Sequence, residues 1–263
     1  MIIIPPPFFR ALKVAATIII LLLVWEICCR LFKVPNYLIP APSEIAARFN
    51  EKRGLFLGHA WVTMYETVAG FAMAVVVGVI AAALIVIVPA VRDVIMPVLL
   101  IAQLVPKVAV APILLIWFGY DLLPKVVIAF LVAFFPIVVN TASGLAAVER
   151  ELLELSRSLE ATRWQTFWKF RIPTALPELF SGMKIAITLA VIGAVIGEFV
   201  GGNKGLGYLI LIANQELDTP LAFAALFILS LGGIILYWAI ELAEKVCIPW
   251  GHDIDHLDIH GIP

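Results

Sequence analysis

Long apolar runs and short polar connections alternate along the whole chain. The runs fall at residues 14–32, 68–88, 94–118, 126–147, 185–200 and 221–240. A bilayer core about 30 Å thick takes about 20 mostly apolar residues per helix, so each run predicts one span. The fifth is short unless it begins within residues 181–184. None shows the ten-residue alternation of barrel strands, and apart from closed barrels only helices satisfy their own backbone in lipid. The pattern therefore predicts an all-α membrane protein, a six-span helical bundle forming one domain over residues 1–263.

Composition agrees. Of 263 residues, 63% are hydrophobic and 14% charged, against about 45–50% and about 25% in soluble domains. Mean hydropathy is +1.06. A net charge of −1 gives no reason to expect a nucleic-acid partner. Cys28, Cys29 and Cys247 form no metal-binding spacing, and the first two read as small packing residues. Arg10 and Lys13 before the first run resemble a signal peptide, but the run is long and no small-x-small site follows, so it reads as a retained span.

Orientation follows from the basic residues of the connections. With the N-terminus inside, the cytoplasmic side holds Arg10, Lys13, Arg92, Arg150, Arg157, Arg163, Lys169, Arg171, Lys184 and Lys245. The outer side holds the smaller set Lys33, Arg48, Lys52, Arg53, Lys125 and Lys204. Both termini are thus expected in the cytoplasm.

Two connections are long. The outer one, residues 33–67, opens with Pro35, Pro40 and Pro42, and Ser43 is expected to cap a short amphipathic helix on the membrane face. The cytoplasmic one, residues 148–184, reads as helical over 149–170, with Pro173 as its stop. Within it Leu152, Leu155 and Leu159 form one stripe. Trp164, Phe167 and Trp168, at i, i+3, i+4 spacing, place three aromatics on one face among Arg163, Lys169 and Arg171. Such a patch either meets a protein partner or lies in the headgroup layer.

The loop resembles the cytoplasmic signature of bacterial ABC importer permeases through Glu154-Leu155-Ser156, Glu160 and Phe170-Arg171-Ile172-Pro173. Leu155 and Ser156 replace the family's small pair, and Glu160 replaces the glycine that permits a bend between two short helices. Further matches are similar to permeases of the nitrate, sulfonate, taurine and bicarbonate group. They are Pro40-Ala41-Pro42-Ser43-Glu44, Thr63-x-x-Glu66-x-x-x-Gly70-Phe71, Pro106-Lys107-Val108-Ala109-Val110-Ala111-Pro112 and Trp117-Phe118-Gly119. Ala133-Phe134-Phe135-Pro136, Gly197-Glu198-Phe199 and Gly205-Leu206-Gly207-Tyr208 follow in order. Glu66 stands where many relatives carry a basic residue.

The resemblance implies a type I importer permease fold in a bacterial plasma (inner) membrane. It implies two permease chains, a homodimer by family habit, a cytoplasmic ABC ATPase dimer that binds ATP and Mg, and an extracytoplasmic solute-binding protein. It also implies that Glu154, Ser156, Glu160, Ala161, Trp164, Phe167, Trp168 and Pro173 belong to the ATPase-coupling loop. The chain itself lacks a P-loop: Gly197–Gly205 does not fit G-x-x-x-x-G-K-[ST], so no cofactor is expected in it.

Polar side chains inside spans are candidates for the translocation path. Lys107, between Pro106 and Pro112, either faces an anionic or carbonyl-rich solute, pairs with Glu198, or caps carbonyls freed by the prolines. Gln103, Asn140 and Thr188 line the path or join helices. Glu198, before a Gly-rich turn, is a gate or an interface residue, while Glu26 and Arg30 pair at i, i+4. The tail 249–263 carries His252, His256 and His260 among acidic residues and reads as a solvated segment. The cargo suggested is a small anion of the nitrate, sulfonate or taurine kind. The alternatives are a heterocyclic vitamin precursor such as thiamine pyrimidine or, from another class, an integral-membrane enzyme.

Overall fold

In a computed structural model, residues 7–249 are described. Every regular element among them is helical: α1 (Pro7–Leu31), α2 (Pro42–Glu51), α3 (Arg53–Ile87), α4 (Pro89–Leu104), α5 (Lys107–Phe118), α6 (Leu122–Ala146), α7 (Arg150–Ser158), α8 (Arg163–Thr166), a π-helical turn (Phe167–Arg171), α9 (Ile172–Gly201), α10 (Leu206–Gln215) and α11 (Thr219–Cys247). Four helical stretches are long and apolar enough to cross a membrane, namely α3, α6, α8 through α9, and α11. The bent pair α4–α5 makes a fifth, and α1 coincides with the first apolar run.

Three apolar runs turn out to be parts of something longer or less regular. The second is the C-terminal portion of the 35-residue α3, which starts at Arg53 and carries polar His59, Thr63 and Glu66 inside the fold. The fifth is the end of α9, which begins at Ile172, inside the connection expected over residues 148–184. Pro173 does not stop the helix: it lies two residues past the π-helical turn, in a helical stretch that continues from Arg163 to Gly201. The third run is bent by 94° between Leu104 and Lys107. Pro106 pushes Val105 into extended backbone (φ −66°, ψ 124°).

The connection between α1 and α3 contains the expected short helix, but Ser43 is not its cap. Pro42 occupies the first turn, and the Glu44 carboxylate accepts the Ala41 N–H at 3.3 Å. Ser43 instead joins the Glu26–Arg30 pair, donating its hydroxyl to Glu26 at 2.8 Å.

The centre of the bundle is α3, α6 and α9. Their contact faces are built from small residues, so the backbones approach closely and dispersion supplies the adhesion that lipid cannot. Ala74, Ala133, Ile137, Ala186 and Ala190 are fully buried there. At Gly193 an added Cβ would stand 2.7 Å from the Cα of Ala129 on α6, backbone against backbone. α10, α2 and the first turns of α11 close one end of the bundle around Leu206, Leu221 and Phe56. α1 lies at the margin, with Trp25 against Phe223 and Phe227 of α11 at 6.0 and 6.2 Å between ring centroids.

Gly193→Val is expected to force α9 away from α6 and to destabilise the bundle by about 1–3 kcal/mol, as overpacking does. Thermal unfolding in detergent followed by size exclusion checks this, with Gly54→Ala, where a Cβ meets nothing within 4 Å, as the unaffected control.

Candidate functional site

Two places in the bundle hold the polar chemistry. The first is the connection between α6 and α9. The expected continuous helix over residues 149–170 is interrupted, and its first piece, α7, ends in a Schellman motif. The Glu160 N–H donates to Arg157 O and the Ala161 N–H to Ser156 O, both at 2.9 Å. Glu160 takes φ +53°. That left-handed position is where glycine costs least and where an L side chain costs about 1–2 kcal/mol. The bend thus survives the replacement of glycine by glutamate.

Thr162 then starts α8 with a reciprocal cap. Its hydroxyl accepts the Gln165 N–H at 3.2 Å, and Gln165 Oε1 accepts the Thr162 N–H at 2.8 Å.

The aromatic face divides in two. Phe167 is buried, packed with Ala82, Ala142, Leu145 and Ala175. Trp164 and Trp168 remain 66% and 51% exposed, with centroids 5.5 Å apart. Ser156 is also buried and donates to Leu153 O at 2.8 Å. Arg171 donates to Leu145 O at 2.7 Å, meeting a carbonyl in the last turn of α6 that lacks a helical donor. Phe167, Ser156 and Arg171 anchor the loop. Glu154, Glu160, Trp164 and Trp168 stand on its exposed surface, with Ala161 half-buried between.

The second place surrounds Glu198 near the end of α9. Its Oε1 accepts from Thr63 Oγ1 at 2.6 Å and its Oε2 from the Gly207 N–H. The Thr63 hydroxyl in turn accepts the Leu206 N–H at 2.7 Å. The first N–H groups of α10 have no helical partners, so a buried carboxylate brought from another helix satisfies them. Beside it, Lys125 of α6 pairs with Glu66 of α3 at 3.1 Å, both side chains almost wholly buried.

The glycines make room. An added Cβ at Gly205, already at φ +113°, would lie 2.1 Å from Glu198 Cδ, and one at Gly197 would lie 3.0 Å from Lys125 Cα. The Gly205 N–H donates to His59 Nδ1 at 2.9 Å, and the His59 ring stacks on Tyr208. The Gly-rich stretch therefore holds the protein's own carboxylate.

The translocation candidates are dispersed. Lys107 does not meet Glu198. Its ammonium donates to Gln103 O at 2.8 Å, capping the end of α4. Asn140 donates to Pro136 O and Thr188 to Ile185 O, each within its own helix, so neither bridges to another helix through these bonds. Sequence reasoning missed Lys125, taken as an outer-loop residue, and gave no role to Glu66, Thr63 or His59. The histidines at 252, 256 and 260 lie outside the described residues.

The model of binding-protein-dependent transport system inner membrane components matches residues 74–245, and the chain belongs to that family. It is similar to the formylaminopyrimidine transport permease ThiX of Halalkalibacterium halodurans, at 37% identity over 92% of this chain and 97% of that one. The riboflavin permease RibX of Chloroflexus aurantiacus is 37% identical, over 91% and 90%. An aliphatic sulfonate permease, putative by name, from Bacillus subtilis is 29% identical, over 88% and 84%.

The fold is that of an inward-facing MetNI methionine ABC transporter structure, with a TM-score of 0.63 at 21% identity, covering 76% of this chain and 97% of that one. The chain is a permease, not an enzyme. ATP hydrolysis belongs to a separate subunit, and a solute-binding protein is the other partner.

Lys125→Met is expected to leave Glu66 buried without a counter-charge, costing about 3–5 kcal/mol of stability. The double change Glu66→Gln with Lys125→Met is expected to recover most of it. Detergent melting curves of the three proteins check both outcomes.

Proposed function

We propose that this chain forms one half of the pore of an importer for a nitrogen heterocycle, of the class to which formylaminopyrimidine and riboflavin belong. The observation that carries this reading is 37% identity over nearly the full length to permeases named for those two solutes, against 29% to one named for sulfonates. It takes the place of the small-anion cargo. Two features of the charge arrangement favour it. The buried cation Lys125 is paired with Glu66 and is not open to an anionic solute, and the Lys107 ammonium donates to Gln103 O at the end of α4.

In this reading two copies of the chain pair in the bacterial inner membrane with both termini in the cytoplasm. Gln103, Lys107, Asn140, Thr188 and Glu198 belong to the helices that move around the path. The ATPase dimer binds ATP and Mg and grips the loop through Glu154, Glu160, Ala161 and the exposed Trp164 and Trp168. Phe167, Ser156 and the first turn at Pro173 pass its motion into the bundle. Closure of the ATPase pair turns the permease from inward-facing to outward-facing, where the solute-binding protein delivers cargo.

Reconstituted uptake with the cognate binding protein and ATPase tests the cargo. Labelled riboflavin or formylaminopyrimidine is expected to enter and taurine or nitrate not. Lys107→Met is expected to transport within about twofold of the parent, since in this reading Lys107 caps the end of α4 rather than holding the solute. Anion uptake, or loss of uptake in that variant, would return the small-anion reading.

Trp164→Ala and Glu154→Lys are each expected to leave the bundle folded and the ATPase bound while uptake per ATP hydrolysed falls by an order of magnitude or more. Truncating an exposed aromatic anchor in a protein contact removes about 2 kcal/mol or more. Normal uptake by both variants, with the ATPase co-purifying, would remove the loop from the coupling role.

A further inference from the structure

The helical stretch from Arg163 to Gly201 has the coupling loop at one end, and α10 follows the other. There Leu206 of α10 packs with Ile45 of α2 and Leu221 of α11. α10 ends in the same pair of bonds as α7. The Leu217 N–H donates to Asn214 O at 3.3 Å and the Asp218 N–H to Ala213 O at 2.9 Å. Leu217 takes φ +56° and is 69% exposed. Glycine takes this left-handed position at least cost. The bonds that close the helix are made by backbone, so they do not require the leucine side chain. The chain nevertheless holds a strained, apolar prong out into solvent, and strain of this kind points to a function.

The prong stands on fixed ground. Arg48 of α2 donates through Nε to Asp218 Oδ2 at 3.0 Å, and Asp218 Oδ1 accepts the Leu221 N–H at 3.2 Å. Thr219 donates to Tyr37 O at 2.8 Å. Next to the turn, between α2 and the start of α11, lies a cavity of about 330 Å³. Glu44, Glu51 and Asp218 line it against a single cation, Arg48, so negative charge is in excess. The Glu51 side chain is 63% exposed. A protein that fits here brings an apolar socket with a basic side chain beside it, and both features are in place before it arrives.

We propose that Leu217 and the adjoining hollow between α2 and α11 form the docking surface for the solute-binding protein. Leu217 enters an apolar socket on that partner, and one of its lysines or arginines enters the hollow beside Glu51. This rests on the reading that puts the coupling loop in the cytoplasm, which turns the α2–α10 end toward the binding protein. It is independent of which solute is carried.

The test uses the full-length permease with its ATPase in nanodiscs, together with the cognate solute-binding protein. A photoreactive amino acid is placed at position 217 or 51, at 204 on the same end of the bundle, or at 158 on the coupling loop. Positions 217 and 51 are expected to capture the binding protein, and 158 is not. Capture from 204 with none from 217 or 51 would overturn the proposal. Capture from 158 alone would overturn the orientation on which it rests.

Affinity gives a second readout. Leu217→Gly relieves the strained backbone, so its melting temperature is expected to match or exceed the parent's while docking weakens about tenfold, as loss of an apolar anchor does. Glu51→Lys leaves the Arg48–Asp218 bond in place and is expected to weaken docking about fivefold. Parent docking is expected to weaken as salt is raised. Unchanged affinity in both variants would overturn the proposal, and a lowered melting temperature in Leu217→Gly would make the leucine a structural residue. Because the readout is captured or bound protein rather than uptake, it separates failure of this surface from failure of the cargo reading.

Discussion

A lysine ammonium buried between helices has to be paired, because stripping its hydration costs several kcal/mol that only close opposite charge offsets. Lys125 meets that requirement with Glu66, which ties α6 to α3, and Glu198 of α9 accepts from Thr63 of α3 at the same level of the bundle. The pairing sets further demands. Glu198 needs donors for its other lone pairs, and Thr63 and the N–H of Gly207 supply them. Those donors come within reach only because Gly205 and Gly207 carry no Cβ to strike the carboxylate. Gly197 is small because Lys125 lies against it. A sequence of scattered glycines and single charges becomes one solvent-free network whose parts are mutually necessary.

That network also shows where the linear sequence stops being readable. The apolar runs located the central helices because burial in lipid leaves a composition signal in every window. They gave the start of α3 too late, since Thr63 and Glu66 break the run in the sequence while being buried inside the fold, Thr63 bonded to Glu198 and Glu66 facing the Lys125 charge. Two lysines illustrate the difficulty. Lys107 stands out between two prolines, yet its ammonium is used on a carbonyl four residues earlier. Lys125 looked like an ordinary connection residue after Pro124, yet it is the one that is buried and paired across helices. The partner of each charge is a property of helix packing, and no spacing along the chain encodes it. The pairing of Glu26 with Arg30 was legible for the opposite reason, being local to one helix.

Glu160 is the reverse case. The sequence made the bend doubtful by removing its glycine, but the bend is fixed by Schellman bonds and by the Thr162–Gln165 cap that follows. A strain of about 1–2 kcal/mol in one residue is small against these bonds and the burial of Phe167 beside them. Backbone geometry is over-determined here, and the side chain at position 160 is left free on the surface.

The loop and the charge network are the two ends of one object. From Arg163 through the π-helical turn to Gly201 the chain is a single 39-residue helical stretch. At about 1.5 Å per residue it is longer than the bilayer core is thick. Trp164 stands at one end of it and Glu198 near the other. Small residues press its middle against α6, so it cannot bend there without separating backbones already in contact at Gly193 and Ala129. In the proposed transport cycle, movement at the exposed tryptophans passes through the π-helical turn and past Pro177 before it reaches the part of α9 that is held against α6. This makes the Glu198 network the place in that cycle where movement of the loop must either be resisted or released.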